Sequence, residues 1–321
     1  MRVTPDCDTI RSLIICQRYS VQTQPDLIFN GQNYLVVWSD RRFTGSYYWV
    51  VAARVTPQGS VLDTGNIISR KGNLYEYAPS IAYDGNRSLV VWYNCYYGTP
   101  GVFGRFVNNQ AQPEDTIITV ALTTDNRGLD PRVEFDGGNY LVVWKDRNDI
   151  FGQFVSPRGE LVGPKITIAG GGATQRNPDL AFDGSCYLVV WEEGRKICGQ
   201  RVATNGQLIG DNFTISENTT NTKRYPGVAA AVSNYLVAWS EYRDDYDIYG
   251  NVDVPVGIAE RSIPPSTYHT TIISGPLRLP ADKPVRVFDL TGRRVDHNHL
   301  KPGIYFVEIG GRIDQKVVKV R

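Results

Sequence analysis

The sequence predicts an all-β protein: a five-bladed β-propeller of four-stranded blades over residues 1–254, followed by a short C-terminal β-domain. Three observations predict it. The hexamer NYLVVW at Asn33–Trp38 recurs letter for letter at Asn139–Trp144. Near copies stand at Arg87–Trp92, Cys186–Trp191 and Asn234–Trp239, so five tryptophans (Trp38, Trp92, Trp144, Trp191 and Trp239) are spaced 54, 52, 47 and 48 residues apart. The hexamer is apolar without alternation, so its strand requires cover on both faces. Four short strands in a unit of roughly 50 residues are the pattern of a propeller blade, sandwiched between two neighbours.

Each unit opens with a proline: Pro25, Pro79, Pro131, Pro178 and Pro226. A short first strand and a turn follow. Asn30-Gly31, Asp84-Gly85, Asp136-Gly137 and Asp183-Gly184 suit tight hairpins into the second strand, the hexamer itself. After a polar loop comes a third strand of the type DIFGQFV (Asp149–Val155). Its glycine, Gly104, Gly152, Gly199 or Gly250 by unit, implies close strand approach or a bulge. The fourth strand reads PKITIA or DNFTIS, and the next proline follows. One buried Trp or Leu contributes on the order of 2–3 kcal/mol, a contribution repeated around the ring.

The fifth unit ends after its third strand, near Val254. The N-terminal stretch RSLIICQRYSVQTQP reads like the end of a unit, so Leu13–Cys16 is expected to be the outer strand of blade five, closing the ring and covering its edges. The rival is a fragment of a larger array.

Residues 255–269 carry three prolines and little periodicity and read as a linker. Residues 270–321 return to strands: PVRVFDLTGRRV, LKPGIYFVEIGG and QKVVKVR. The words VFDLTGRRV (Val287–Val295), LKPGIYFVEI (Leu300–Ile309) and KVVKVR resemble the C-terminal sorting domains of bacterial proteins exported by type IX secretion and related small immunoglobulin-like domains. The resemblance implies a sandwich-like domain and a secreted or cell-surface address. It departs from that pattern at its start, where ISGPLRLPADKP stands in place of the usual Asn-Pro opening.

Composition narrows the partners. With 34 basic and 33 acidic residues and a net charge of +1, the chain has no concentrated basic character for nucleic acid. No apolar run reaches the ~18–20 residues of a membrane span. The first ten residues carry no signal-peptide core, so either the protein is cytoplasmic or an export signal is missing from this chain. The richness in Tyr, Trp, Thr, Asn and Gly favours export. Five cysteines, Cys7, Cys16, Cys95, Cys186 and Cys198, leave at least one unpaired within the chain. They follow no zinc spacing, and Cys7–Cys16 is the best candidate bridge.

Candidate binding residues sit in the loop after the second strand. Two residues past each tryptophan stands Asp40, Asn94, Asp146, Glu193 or Glu241, and Arg42, Arg147, Arg195 and Arg243 follow. With Tyr47, Tyr96, Tyr242 and Tyr246, such a ring could hold a sugar. Equally, Arg–carboxylate pairs could tie loops together as scaffold. The fourth-strand loops vary most, and Arg127, Arg176, Lys223 and Arg224 would make a basic rim for an acidic glycan.

Other catalytic signals are thin. All three histidines, His269, His297 and His299, lie outside the repeats. Residues 297–299 read as a solvated turn, and Arg243–Gly250 lacks the spacing of a calcium loop. Gly170–Gly172 is followed by no phosphate-loop lysine.

The leading expectation is a non-catalytic, monomeric binding or scaffold protein, without cofactor or metal, that recognises a polysaccharide or a surface protein. The alternative is a glycoside hydrolase or lyase working through carboxylates at the propeller axis, an analogy of fold. A purely structural surface protein is a third reading. An asymmetric trio of carboxylates in a deep central pocket would favour the enzyme, and equivalent Asp–Arg pairs locked between blades would favour the binder or scaffold.

Overall fold

The computed structural model describes residues 2–3, 9–43, 45–69, 75–95, 100–123, 129–216, 220–231, 234–252, 269–273, 277, 285–289, 294–301, 303–309 and 312–319. The chain divides into two compact units, residues 1–257 and 258–321.

The first unit is a five-bladed propeller built of consecutive antiparallel meanders. Blade one comprises Gln22–Phe29, Tyr34–Asp40, Trp49–Val55 and Asn66–Ile67. Blade two comprises Glu76–Tyr83, Ser88–Asn94, Gly101–Val107 and Pro113–Leu122. Blade three comprises Arg132–Phe135, Tyr140–Asp146, Asp149–Val155 and Leu161–Ala169. Blade four comprises Gln175–Phe182, Cys186–Glu193, Lys196–Ala203 and Leu208–Thr214. Blade five has three strands among the described residues: Thr222–Ala230, Tyr235–Tyr242 and Tyr246–Asn251.

The hexamers of blades two, three and four are buried on both faces, as their lack of alternation requires, whereas in blade five Leu236 is 50% exposed. Trp92, Trp144 and Trp191 are at most 1% exposed. Alternate residues of one strand serve different cores. Leu141 and Val143 pack toward blade four, whereas Val142 and Trp144 pack toward blade two. Such shared cores join blades one to two, two to three, three to four and four to five. The hairpin acids cap their own turns: Asp136 Oδ1 accepts the N–H groups of Gly138 and Asn139, both at 2.7 Å, while Gly137 takes a φ of 95°. Third-strand glycines permit the close approach expected of them. A Cβ on Gly152 would lie 2.9 Å from Ile168 Cδ1.

Leu13–Cys16 differs from expectation. These residues form no strand. Leu13, Ile15 and Cys16 pack on Trp38, Val51 and Ala53 of blade one. That is the packing role of an outer strand, which Ile168 and Ala169 of blade three play against Trp191 of blade four. The apolar contact forms without the backbone ladder to blade five. Cys16, Cys95, Cys186 and Cys198 are free thiols. Cys7, on which the bridge reading depends, lies outside the described residues, as do residues 255–268 of the linker, whereas His269 opens a strand.

The second unit is a four-stranded sheet among its described residues. Val285–Asp289 pairs with Gly303–Ile309, which pairs with Arg312–Lys319, which takes His269–Ile273 in parallel. Its core holds Val287, Leu300, Tyr305 and Val307. His297–His299 forms a single 3-10 turn, and the His299 ring lies 2.7 Å from Asp296.

Candidate functional site: the axial cavity

The first strands of all five blades line one cavity of ≈ 550 Å³ on the propeller axis, within the range of small-molecule sites. The unit prolines place them there. The residue before each proline adopts a left-handed backbone: Gln24 (φ 54°), Ala78 (47°), Asp130 (41°), Asn177 (48°) and Tyr225 (54°). None is glycine, so each position costs on the order of 1 kcal/mol or more. The ladder slips at the same place in four blades, as between Thr23 and Asp26. The strand therefore kinks as it enters the ring.

In four of the five blades the residue after the proline ties blade to blade. Asp26 Oδ2 accepts the Ile81 N–H of blade two at 3.0 Å. Ser80 Oγ accepts the Val133 N–H of blade three at 3.3 Å, and Asp179 Oδ2 accepts the Val228 N–H of blade five at 2.9 Å. Blade three carries Arg132 at this position instead. Its Nε lies 3.7 Å from Asp179 Oδ1.

Two positions further along, the repeat is broken outright. Ile28, Ala82, Ala181 and Ala229 occupy this place in four blades, and Glu134 occupies it in the third. Burial pushes the Glu134 carboxyl up to about 7, with the Asp179 and Asp26 carboxylates adding to the effect. Burial likewise raises Asp179 to about 6, opposed by the Val228 N–H and by Arg132. Asp130 at the rim is raised by burial as well, with Arg132 and Lys145 opposing. The cavity thus holds an unequal set of acids, from blades one, three and four, beside one guanidinium.

The residues singled out from the loop pattern lie elsewhere. Asp40 is fully buried; it accepts Trp38 Nε1–H at 2.9 Å and pairs with Arg42 at 2.9 Å. Glu193 and Glu241 accept the same indole bond from Trp191 (3.4 Å) and Trp239 (3.2 Å), and Arg243 pairs with Glu241 at 3.1 Å. In blade two, Asn94 stands in the acid's place and Glu76 from the first strand receives the Trp92 bond at 3.2 Å. Asp146 is half-buried and Arg147 exposed, and exposed Arg195 donates to the Thr220 carbonyl at 2.9 Å. None of these nine residues lines the cavity. Of the four basic residues read as a rim, Arg127 lies outside the described residues, Arg176 is exposed and Arg224 half-buried. Lys223 is 1% exposed and reaches Glu241 at 3.8 Å, so it is an interior cation. Sequence reasoning missed Asp26, Glu134 and Asp179. The break at Glu134 in an otherwise apolar column was the available signal.

No protein-family model matches the chain, and no curated protein matches it. Among solved structures, the ring is similar to an α-L-arabinofuranosidase from Lactobacillus brevis (11% identity, TM-score 0.46, 72% of this chain and 90% of that one). It is similar to a GH43 endo-arabinanase from Bacillus licheniformis (14%, 0.41, 71% and 92%). An exo-β-1,3-galactanase from Phanerochaete chrysosporium is similar too (8%, 0.47, 77% and 62%). These are likenesses of fold.

The expectation of a non-catalytic binding or scaffold protein, not an enzyme, is corrected here. The axial cavity carries an unequal set of carboxyls, the arrangement that favours an enzyme over a binder or scaffold. The expectation rested on the loop acids, which are alike from blade to blade because they hold tryptophans.

Proposed function

We propose that the protein is a glycoside hydrolase acting on a polysaccharide, with its acid–base chemistry in the axial cavity. The observation that carries this reading is Glu134, a carboxyl pushed up to about 7 at a first-strand position that is apolar in the other four blades. A carboxyl with that proton affinity is protonated often enough at neutral pH to donate, and still a strong enough acid to do so. Glu134 gives its proton to the glycosidic oxygen as the bond to the anomeric carbon breaks. A water oxygen bonds to that carbon, and Asp26 takes the water's proton. Both Asp26 oxygens already accept backbone N–H groups, from Leu27 at 2.8 Å and Ile81 at 3.0 Å, which fixes the carboxylate in place. Burial keeps the proton on Glu134, and Asp179, beside Arg132, adds a negative field that acts in the same direction.

The test is release of reducing ends from arabinan, galactan, polygalacturonate and short aryl glycosides by the full chain. Glu134→Gln should lower the rate by roughly 10²–10⁴-fold, the usual worth of a positioned acid. Absence of cleavage on every substrate would refute the reading, and unsaturated chain ends would indicate a lyase instead. An extracellular address accords with a polymeric substrate, and we propose an anchoring role for residues 270–321. Cell fractionation with and without that segment tests it.

A further inference from the structure

The repeats provide an internal control for side chains that the fold does not need. In blade two the positions four and two residues before the proline are Tyr75 and Tyr77, and the residue after the hexamer tryptophan is Tyr93. The described equivalents of Tyr75 are Val21, Thr174 and Thr222, those of Tyr77 are Thr23, Leu129, Arg176 and Arg224, and those of Tyr93 are Ser39, Lys145, Glu192 and Ser240. Each of these blades is an antiparallel meander, of four strands in blades one to four and of three, among the described residues, in blade five. Three tyrosines at these places are therefore a property of this blade and not of the architecture.

They are also organised. Tyr75 and Tyr77 are parallel to within 8° with centroids 6.2 Å apart, and Tyr77 continues to its cross-strand partner Tyr93 at 5.5 Å. Blade one adds two more rings from its second-to-third loop: Tyr47 stands edge-on to Tyr75 at 4.9 Å, and Tyr48 meets Tyr77 at 4.7 Å. Phe43 of the same loop, 41% exposed, stacks at 5.3 Å on Trp49, the first residue of the third strand. All five tyrosines are only half-buried. The cluster adjoins the cavity: Tyr77 directly precedes Ala78, one of its lining residues.

We propose that these tyrosines are a stacking platform for glycosyl units of a polysaccharide, positioned where the chain enters the axial cavity. This rests on the reading of that cavity as a glycoside hydrolase site. Rings with an apolar face and a hydroxyl edge match a sugar, which offers C–H faces for stacking and hydroxyls around its rim. A ligand site built of aromatic walls and a few polar groups has this composition. The platform spans two blades beside the cavity rather than inside it, so its ligand is a polymer and not a free monosaccharide.

The experiment is native electrophoresis of the full chain through gels cast with arabinan, galactan or polygalacturonate, run beside cleavage of a short aryl glycoside. Tyr75→Thr installs the residue that blades four and five carry at this position, so the variant keeps a compatible backbone; Tyr47→Ala removes the facing ring. The pair should weaken retardation at least tenfold with aryl-glycoside cleavage unchanged. Tyr47→Phe with Tyr75→Phe, which keeps the stacking faces, should preserve retardation. Unaltered retardation in the Thr/Ala pair, or no retardation of the natural chain in any gel, overturns the platform. Retardation that depends on the tyrosines without any cleavage leaves the platform standing and overturns the hydrolase reading alone.

Discussion

Arg132 Nε of blade three stands 3.7 Å from Asp179 Oδ1 of blade four, at a position where blades one, two and four present an oxygen acceptor to their neighbour. One guanidinium in a column of acceptors sets the charge balance of the axial cavity.

Replacing it by Arg132→Met should raise Asp179 further above its present value of about 6, since Arg132 opposes the effect of burial. A carboxyl whose folded value is raised contributes stability that is present below its unfolded value and lost as pH rises through the folded one. The variant should therefore have a lower urea midpoint than the natural chain at pH 8, and the gap should shrink toward pH 4. An equal gap at both pH values would remove Asp179 from the explanation.

Glu134→Gln has the opposite effect on stability. The natural carboxyl goes from 4.5 unfolded to about 7 folded, so its stabilising contribution is lost as pH rises across that interval. Gln carries no charge to desolvate. At pH 8 the variant should be more stable by about 1–2 kcal/mol, allowing for partial exposure, and at pH 4 the two should coincide. Denaturant titrations at the two pH values measure it.

Asp40→Ala tests the loop acids as structural groups. Asp40 accepts Trp38 Nε1–H and the Arg42 N–H, both at 2.9 Å, in a fully buried setting. Its removal strands an indole donor and a cation, at a cost of roughly 2–4 kcal/mol. Cleavage by the folded fraction should be unchanged. A loss of turnover without a loss of stability would return Asp40 to the functional site.

Glycine at 101 is required by contact. A Cβ there would strike the backbone oxygen of Ala121, which cannot rotate away. Gly101→Ala should lower stability by about 1–3 kcal/mol. Gly172→Ala, which meets open space, should stay within about 0.5 kcal/mol of the natural chain. Thermal unfolding of the two variants separates close packing from a general effect of adding a methyl.

Much of the propeller was legible because its information is local. The hexamers mark buried strands, the Asp-Gly pairs mark hairpins, and their spacing counts blades, all within some 50 residues of each other. The Leu13–Cys16 expectation captured apolar character but not hydrogen-bonding, since the same side chains pack on Trp38 without pairing a strand. Recurring acids looked like a site because recurrence is what a linear reading detects. In the folded protein, recurrence at Asp40, Glu193 and Glu241 reflects one structural task, the indole bond.

By itself the sequence determined the all-β class, the five units and the first three strands of each, because strand periodicity and turn chemistry act between near neighbours. Only the tertiary structure decided that Asp26, Glu134 and Asp179 share a cavity and that Lys223 is interior. The reason is that the ring gathers the first strands of all its blades at one axis. Burial among those strands, and the charge each carboxyl feels from the others, exist only once they meet there.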